Sequence, residues 1–376
     1  MKKLRLTLFI FAIISPAVAQ KKEVNKFTSV YDIQATAIKS QGNTGTCWSF
    51  SASSFIESEI FRKKGVAVDI SEMYSVRNTY EKKVANYILR QGKAQFSQGS
   101  LAHDVMNSVR ENGLVPDEAY TGNLSITGIY NHTELFGALD SLVNDYVKAP
   151  RDFTTSWYDT TNAILDHYLG IAPETFKFND EKYTPKSFQE AMGINPDDYV
   201  TLTSFTHHPY YEPFILEIPD NFSNGTFYNL PLADYMGVIE YALSKGYTIA
   251  LDTDVTEKSF SSTSGMATLP KGERDETAGV ENKMNLSNLE KIVTPENRQA
   301  EFLNYNTTDD HLMHITGLLK DQNGNKYYKV KNSWGTAGRG NGGYVYMSVP
   351  YIQMKSISLM VHKDGIPAEI REKLKL

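Results

Sequence analysis

The sequence contains a single cysteine, Cys47, among its 376 residues. One thiol cannot form an intramolecular disulfide, so the chain lacks the cross-links that stabilise many exported proteins and must rely on core burial. Its hydrophobic content of 41% and aromatic content of 12% are those of a folded globular protein. The thiol therefore serves either packing or chemistry, and its sequence neighbours decide between the two.

The sequence also lacks an excess of positive charge, internal repeats and any heptad pattern. It carries 38 basic and 44 acidic residues, which gives a formal net charge of −6. This balance argues against nucleic acid or anionic lipid as the main partner. After the first 20 residues, no stretch is apolar enough to be a membrane span.

The first residues have the pattern of an export signal. A positively charged start is followed by an apolar run over 6–14 and by a small-residue cleavage motif that ends at Ala19. The run is well short of the roughly 20 residues that a membrane-spanning helix needs. We therefore predict a signal peptide over 1–19, cleavage before Gln20, and export from a bacterial cell into the periplasm or beyond.

Hydrophobic periodicity divides the chain into a mainly helical first part and a β-rich last part. Helices are predicted from Cys47 onward, over 71–89, 101–112, 135–147 and 160–169, after Pro185, and over 232–245. Strands are predicted over 247–252, 311–319, 326–331, 342–347 and 356–361. The pattern predicts an α+β fold with a helical lobe over about 41–116, a helical insertion over about 117–230 and a β-rich lobe over about 231–376. The junction of the two lobes is where a cleft would form.

Cys47 lies in the segment Gln41-Gly-Asn-Thr-Gly-Thr-Cys47-Trp-Ser-Phe50, directly before a helical pattern. A helix N-terminus favours an anion such as a thiolate, which is the nucleophilic form of cysteine. Gln41 stands six residues before the thiol across a glycine-rich turn. Its side-chain amide is thus a candidate to donate, together with the Cys47 backbone amide, to the oxyanion formed when a thiolate attacks a carbonyl.

A nucleophilic thiol also needs a base, and the base needs a third group that orients it. Two histidines, His311 and His314, compete for the role of base in a predicted strand. Because their separation is odd, their side chains point to opposite faces and only one of them would reach the cleft. Asn332, in the segment Asn332-Ser-Trp-Gly335, is the candidate for the orienting group.

Together these segments resemble the papain-like cysteine peptidases, and specifically their bleomycin hydrolase and aminopeptidase C branch. The resemblance implies a papain-like peptidase domain over 20–376 with Cys47 as nucleophile, His311 as base and Asn332 as its orienting partner. It places His314 on the far face, packed or hydrogen-bonded. It also implies that Gln41 contributes to the oxyanion hole. Trp334 would shield the histidine–asparagine bond from water, and we include it among the substrate-binding residues.

Several further segments carry the resemblance to the bleomycin hydrolase branch rather than to cathepsins. Thr44 stands where cathepsins carry a disulfide cysteine. The segments similar to that branch are Pro173-Glu-Thr-Phe176, Thr184-Pro-Lys-Ser-Phe188, Tyr228-Asn-Leu-Pro231, Leu251-Asp-Thr-Asp-Val255 and 361–369. The branch also has a Gly-Gly pair whose backbone binds extended peptide, and Gly99-Ser100 matches it except at Ser100. An ordinary helix N-cap explains Ser100 equally well.

The resemblance implies a peptidase, and the sequence leaves its type open. In the branch, a C-terminal arm enters the cleft and confines the enzyme to free N-termini, and the chain ends at Leu376 soon after the last matching segment. An aminopeptidase is the first expectation, and an endopeptidase or dipeptidyl-peptidase is the alternative. A Cys-His acyltransferase and a non-catalytic peptide-binding protein are further alternatives.

Peptides are the expected partners, and a homohexamer is expected only by analogy with the branch. No cofactor is expected. The pair His207-His208 is read as part of a loop, since adjacent histidines diverge and no third metal ligand is evident. The sequence thus predicts a metal-free thiol enzyme.

Overall fold

A computed structural model of the chain describes residues 26–271 and 290–376. The predicted signal peptide over 1–19 and its cleavage site lie outside these residues. Within the described ranges, the search for helices with the length and apolar character of a membrane span finds none.

Six helices of the first half pack against one another around a common apolar core. They are α1 (Cys47–Lys64), α2 (Glu72–Leu89), α3 (Ala102–Asn112), α4 (Thr133–Lys148), α5 (Trp157–Leu169) and α6 (Pro185–Met192). Helix α2 begins after Ser71, whose side chain accepts a hydrogen bond from the Tyr74 amide, and α1 ends at Gly65 in the left-handed region at φ 70°. All were predicted from periodicity, with ends that differ by a few residues.

In the residues that the structure describes, the rest of the chain forms a large sheet with four further helices. The helices are α7 (Leu232–Ser244), α8 (Pro295–Leu303), α9 (Val349–Lys355) and α10 (Ala368–Leu374). The strands of the sheet are β1 (Phe27–Asp32), β4 (Tyr199–Thr203), β5 (Pro213–Ile215), β6 (Thr226–Asn229), β7 (Ile249–Thr253), β8 (Phe260–Ser261), β9 (Met266–Ala267), β10 (His311–Asp321), β11 (Lys326–Lys331), β12 (Tyr344–Ser348) and β13 (Ser356–His362). Strands β2 (Phe176–Phe178) and β3 (Glu181–Tyr183) form a separate hairpin.

The sheet runs in the order β5-β6-β4-β13-β7-β10-β11-β12-β9-β8, and β1 also pairs with β10. The central strands β13, β7, β10 and β11 are antiparallel neighbours, and each is largely buried. A second apolar core lies between this sheet and α7, with Tyr235, Tyr328 and Tyr351 among its largest buried side chains. The mixed architecture is the predicted α+β fold.

Residues 117–230, predicted as a helical insertion, are divided between the two parts. Helices α4 and α5 pack with α2, whereas strands β4 to β6 extend the sheet through the pairing of β4 with β13. These strands have only three to five residues each, too short for a clear alternation in the sequence. Strand β1 was not predicted, and most of its residues are exposed.

Candidate active site

Helix α1 lies between the two parts of the molecule and carries Cys47 as its first residue. One face of α1 presents Cys47, Ser51, Ser54 and Ser58, at helical spacings of four, three and four. Ser51 Oγ donates to the Met313 carbonyl of β10 at 2.6 Å, and Ser58 Oγ donates to the Gln34 carbonyl at 3.0 Å. These hydroxyls satisfy backbone acceptors along the junction and fix the helix so that its first turn faces the start of β10.

His311 is the first residue of β10, and its ring pairs with Asn332. His311 Nε2 lies 2.8 Å from Asn332 Oδ1, and the Ser333 amide donates to the same oxygen at 2.7 Å. Because an amide N–H requires an acceptor, the Ser333 contact identifies that Asn332 atom as the oxygen. Nε2 of the neutral imidazole therefore carries the hydrogen, and its Nδ1 keeps the lone pair.

Trp334 lies against the outer side of this pair. Its ring centroid is 4.7 Å from that of His311, with the planes 32° apart, and Phe260 packs on it edge-to-face at 5.9 Å. Asn332 is buried and Trp334 is half-buried. The indole thus screens the His311–Asn332 hydrogen bond from solvent, which strengthens it by lowering the local dielectric.

Gln41 is buried beside Asn332 and its amide is oriented by two contacts. Gln41 Oε1 accepts from Ser333 Oγ at 2.6 Å, and Nε2 donates to the Thr44 carbonyl at 2.7 Å. An amide nitrogen has two hydrogens, so the second one stays available to an acceptor near Cys47. The turn that follows needs Gly42, because φ is 61° there and a Cβ would lie 2.3 Å from the Tyr130 carbonyl.

The structure also brings Cys47 close to the start of β10, where His311 lies. The backbone amide of Leu312, which follows His311, is hydrogen-bonded to the thiol and lowers its pKa. Burial has the larger, opposite effect and raises the Cys47 pKa to about 12, while burial lowers the His311 pKa to about 4. Among the described residues, no hydrogen bond joins the Cys47 sulfur to the His311 ring. In this substrate-free geometry the thiol and the imidazole are both neutral at pH 7. A hydrogen bond between a nucleophile and its base often forms only when substrate binds.

Comparison with known proteins agrees with this geometry. The model of the peptidase C1-like family matches residues 161–376, and that of the papain family cysteine proteases matches residues 25–148. The first match alone covers more than half of the chain. The chain belongs to the peptidase C1-like family. It is therefore a papain-like cysteine peptidase, as the resemblance predicted.

Two relatives span almost the whole of this peptidase. Aminopeptidase W of Lactobacillus delbrueckii subsp. lactis is 23% identical over 97% of this chain and 89% of its own length. Aminopeptidase C of the same organism is also 23% identical, over 91% of this chain and 82% of its own length. The crystal structure of PepW from Lactobacillus rhamnosis shares the fold, with a TM-score of 0.70, 18% identity and coverage of 93% of this chain and 84% of that one.

Gly99 and Ser100, the other predicted substrate-binding residues, lie just before α3. Ser100 is buried and its hydroxyl donates to Asp104 Oδ2 at 2.6 Å, within the network that caps the helix. The Gly99 carbonyl accepts a hydrogen bond from Lys83, and a Cβ on Gly99 would meet the Asp220 carboxylate at 1.9 Å. Gly99 therefore allows a carboxylate to approach the backbone closely.

His314 has different partners from His311, as the strand alternation predicts. It is fully buried, and its Nδ1 lies 2.9 Å from Ser54 Oγ, which in turn accepts from Lys331 Nζ at 2.8 Å. Burial and the nearby Lys331 hold the His314 pKa well below its usual range. His314 is thus a neutral hydrogen-bonded residue of the junction.

Lys331 belongs to a group of four buried or half-buried charges behind the site, Lys39, Glu57, Glu72 and Lys331, which we call the interlobe cluster. Lys331 Nζ donates to Thr36 Oγ1 at 2.9 Å, and Thr36 donates to Glu57, which also accepts from the Ile70 amide at 2.9 Å. Lys39 Nζ lies 3.0 Å from Glu72 and 2.5 Å from Asp69. The lysine ammonium therefore fills the space that Glu57, Asp69 and Glu72 would offer a metal ion.

A second charged group, which was not predicted from the sequence, lies near Cys47. It consists of Asp220, Asp252 and Asp309, and we call it the acidic pocket. All three carboxylates raise the Cys47 pKa. One sequence signal was present: Asp252 ends a predicted strand, and Asp309 lies two residues before His311. No motif joins the three positions.

The rings of His207 and His208 are not arranged as the sequence predicted. The two rings converge on Glu217, with His208 Nε2 3.1 Å and His207 Nε2 3.6 Å from its carboxylate oxygens. The expectation that adjacent histidines diverge was wrong, because the chain turns after β4 and both rings pack near Phe214. The expectation of no third potential ligand was also wrong, because Glu217 lies with the two histidines as a third ligand-type side chain.

Proposed function

We propose that this peptidase hydrolyses peptide bonds with Cys47 as nucleophile, His311 as general base and Asn332 as the orienting group. The observation that carries the proposal is the His311–Asn332 hydrogen bond of 2.8 Å at the strand start that faces the first turn of α1. That bond keeps the hydrogen on Nε2 and leaves Nδ1 free to accept the proton of the thiol. The arrangement is that of a nucleophile, a base and an orienter.

The reaction starts with attack of Cys47 Sγ on the scissile carbonyl carbon while the thiol proton moves to His311 Nδ1. Burial disfavours both an isolated thiolate and an isolated imidazolium. The proton is therefore transferred while the carbon–sulfur bond forms, and an isolated thiolate is avoided. The carbonyl oxygen becomes an oxyanion, which the Cys47 amide and the free hydrogen of Gln41 Nε2 stabilise. His311 then returns the proton to the leaving amine, and water hydrolyses the thioester.

We propose that the enzyme acts on peptides with free N-termini, as an aminopeptidase. Aminopeptidase W and aminopeptidase C, which match it over most of their length, support this assignment by their names. An endopeptidase is the competing type, since both use the same chemistry and differ in what lies at the end of the cleft. Hexamer assembly stays a prediction from the resemblance.

The test is cleavage of matched fluorogenic peptides, one set with a free N-terminus and one acetylated, by the enzyme and by Cys47→Ala. We expect cleavage of the free set, much slower cleavage of the acetylated set, and loss of roughly 10⁴-fold or more in kcat for Cys47→Ala. Equal cleavage of both sets would identify an endopeptidase. Full activity of Cys47→Ala would refute the mechanism.

We further propose that the enzyme is exported, on the basis of the charged, apolar and small-residue pattern over 1–19. The measurement is the N-terminal sequence and the location of the full-length chain expressed in a bacterium. Processing before Gln20 and recovery outside the cytoplasm are the expected results. An unprocessed cytoplasmic chain would refute export.

A further inference from the structure

The acidic pocket brings together carboxylates from three distant segments. The Asp220 amide donates to Asp309 Oδ2 at 3.2 Å, and the carboxyl groups of Asp309 and Asp252 interact directly. Asp220 is held in place by Ser97 and Gln95, each 3.3 Å from its Oδ1. The three groups thus form one continuous anionic surface.

Two oxygens in this pocket have no hydrogen-bond donor. They are Asp252 Oδ1 and Asp309 Oδ1. Asp252 is only 2% exposed, and its Oδ2 receives the Ser358 hydroxyl at 3.3 Å, whereas its Oδ1 receives no donor from the described residues. A buried carboxylate oxygen without a donor is costly, and in native structures such an atom calls for an explanation.

The charges of the pocket are also unbalanced. Lys83, which is buried and donates to the Gly99 carbonyl, opposes the charge of Asp220. By contrast, burial and Asp309 raise the pKa of Asp252, and burial and Asp220 raise the pKa of Asp309. A positive group placed between them would supply both the missing donors and the missing charge.

The spacing of the carboxylates favours an organic cation over a metal ion. In the part of the chain that the structure describes, the groups of three side chains with ligand atoms within 4.8 Å of one another are His207, His208 and Glu217, and Glu57, Asp69 and Glu72. The acidic pocket is not among them. An ammonium or guanidinium, with hydrogen bonds of about 2.8 Å in several directions, matches a wider set of acceptors.

The pocket lies next to the reacting atoms. Asp252 of β7 is the register partner of Leu312 in β10, whose amide contacts the Cys47 thiol. Neighbouring strands are about 4.8 Å apart, so the Asp252 backbone lies about that far from the residue whose amide contacts the thiol. Asp220 lies against Gly99, the residue matched to a peptide-binding position. A substrate bound at Cys47 would therefore place the group that follows its scissile carbonyl on the acyl side in the acidic pocket.

We propose that Asp220, Asp252 and Asp309 bind a positively charged nitrogen of the substrate on the acyl side of the bond that Cys47 attacks. The nitrogen is either the α-ammonium of a free N-terminus or the side chain of a basic residue; both present N–H donors and one positive charge. The inference rests on the proposed function and names the group that the enzyme selects.

The first test needs no catalysis, because it uses the reactivity of the Cys47 thiol. The rates of modification by aminoethyl methanethiosulfonate, a cation, and by methyl methanethiosulfonate, a neutral reagent, are measured with the full chain. Their ratio cancels changes in thiol pKa, which affect both reagents alike. We expect the ratio to fall roughly tenfold in Asp252→Asn and in Asp309→Asn, as for the loss of one charged hydrogen bond.

The control is Asp145→Asn, which removes the same charge from an exposed residue of α4 that lies 3.9 Å from Lys148. Its ratio should equal that of the unchanged enzyme. Unaltered ratios in both Asp252→Asn and Asp309→Asn would overturn the proposal, whatever the outcome of the peptide-cleavage test. Failure of peptide cleavage with an altered ratio would instead overturn only the proposed function.

The second test identifies the source of the nitrogen with three fluorogenic substrates that share the residue next to the scissile bond. In one substrate the α-amine of that residue is free. In the other two it is acylated by acetyl-lysine or by acetyl-norleucine. If the α-ammonium binds, Asp252→Asn lowers kcat/KM roughly tenfold for the free amine alone. If a basic side chain binds, the substitution lowers kcat/KM only for the acetyl-lysine substrate. Equal loss for all three substrates would contradict the proposal.

Discussion

The interlobe cluster and the acidic pocket differ in how their charges are satisfied. In the interlobe cluster, Lys331 and Glu57 share Thr36, and Lys39 lies among three carboxylates. In the acidic pocket, Asp252 and Asp309 face each other and each keeps one oxygen without a donor. Both groups are largely buried, so burial alone does not separate them.

The difference indicates which group the fold completes by itself. A buried charge network is tolerated when every member has a partner, and removal of one partner is then strongly destabilising. A buried group with missing donors is destabilising already, and a chain keeps it when a ligand supplies what is missing. The interlobe cluster therefore joins the two parts of the enzyme, whereas a group of the substrate supplies the donors that the acidic pocket lacks.

The largest expected effect is on the stability of the interlobe cluster. Lys331→Met removes the cation that opposes the charge of Glu57 and leaves Ser54 and Thr36 without a donor. We expect a loss of about 3 kcal/mol in the free energy of unfolding at pH 8. The measurement is the urea midpoint, with an unchanged slope as the condition for a two-state comparison.

The matched control for this change lies on the same strand. Lys329 forms an ion pair with Asp32 at 2.7 Å, and Asp32 is about half exposed, with 48% of its side-chain surface accessible. Lys329→Met should therefore cost less than about 1 kcal/mol. Similar losses for Lys331→Met and Lys329→Met would show that the interlobe cluster does not hold the two parts together.

The next effect has the opposite sign and concerns the acidic pocket. Asp252→Asn replaces a carboxyl with an amide that has donors for Asp309, so we expect a gain of about 1 kcal/mol in stability at pH 8. Burial and Asp309 raise the Asp252 pKa, so its ionisation penalises the folded state only above the usual carboxyl range. Asp309, whose pKa is raised to about 7, behaves in the same way.

The pH dependence of this gain follows from these directions. A carboxyl with a raised pKa in the folded state favours folding below its ordinary pKa, and this contribution is lost as pH rises through the folded value. The difference between Asp252→Asn and the unchanged enzyme should therefore be small near pH 4 and grow as the pH rises above the ordinary carboxyl range. Urea midpoints at several pH values measure it, and a loss of stability at pH 8 would contradict the reading.

The sequence carries a much clearer signal for the proposed reactive residues than for the acidic pocket. Cys47 and His311 are recognisable because each lies in a local pattern, a turn before a helix or the start of a strand. The pocket residues Asp220, Asp252 and Asp309 come from a loop, the end of β7 and the chain before β10. Only the pairing of β7 with β10 brings two of them together, and long-range strand pairing leaves no local signal.

The same limit explains the strands that were missed. Strands β4 to β6 are short, and their place in the sheet depends on β13, more than 100 residues away. Their residues were therefore assigned to a helical insertion on the basis of the helices that precede them. Local periodicity predicts elements, whereas the assignment of an element to a layer depends on contacts that are distant in sequence.

The smallest expected effect links the acidic pocket to the thiol. Of its three carboxylates, Asp220 has the largest effect on the raised pKa of Cys47. Asp220→Asn should therefore lower that pKa and increase the rate of alkylation by iodoacetamide at pH 8 roughly two- to threefold, since the thiolate is the reactive form. Iodoacetamide is neutral, so attraction of the reagent does not contribute. Added salt should shrink the difference only slightly, because partly buried charges are weakly screened. An equal rise in Asp145→Asn would mean that overall charge, rather than the pocket, controls the thiol.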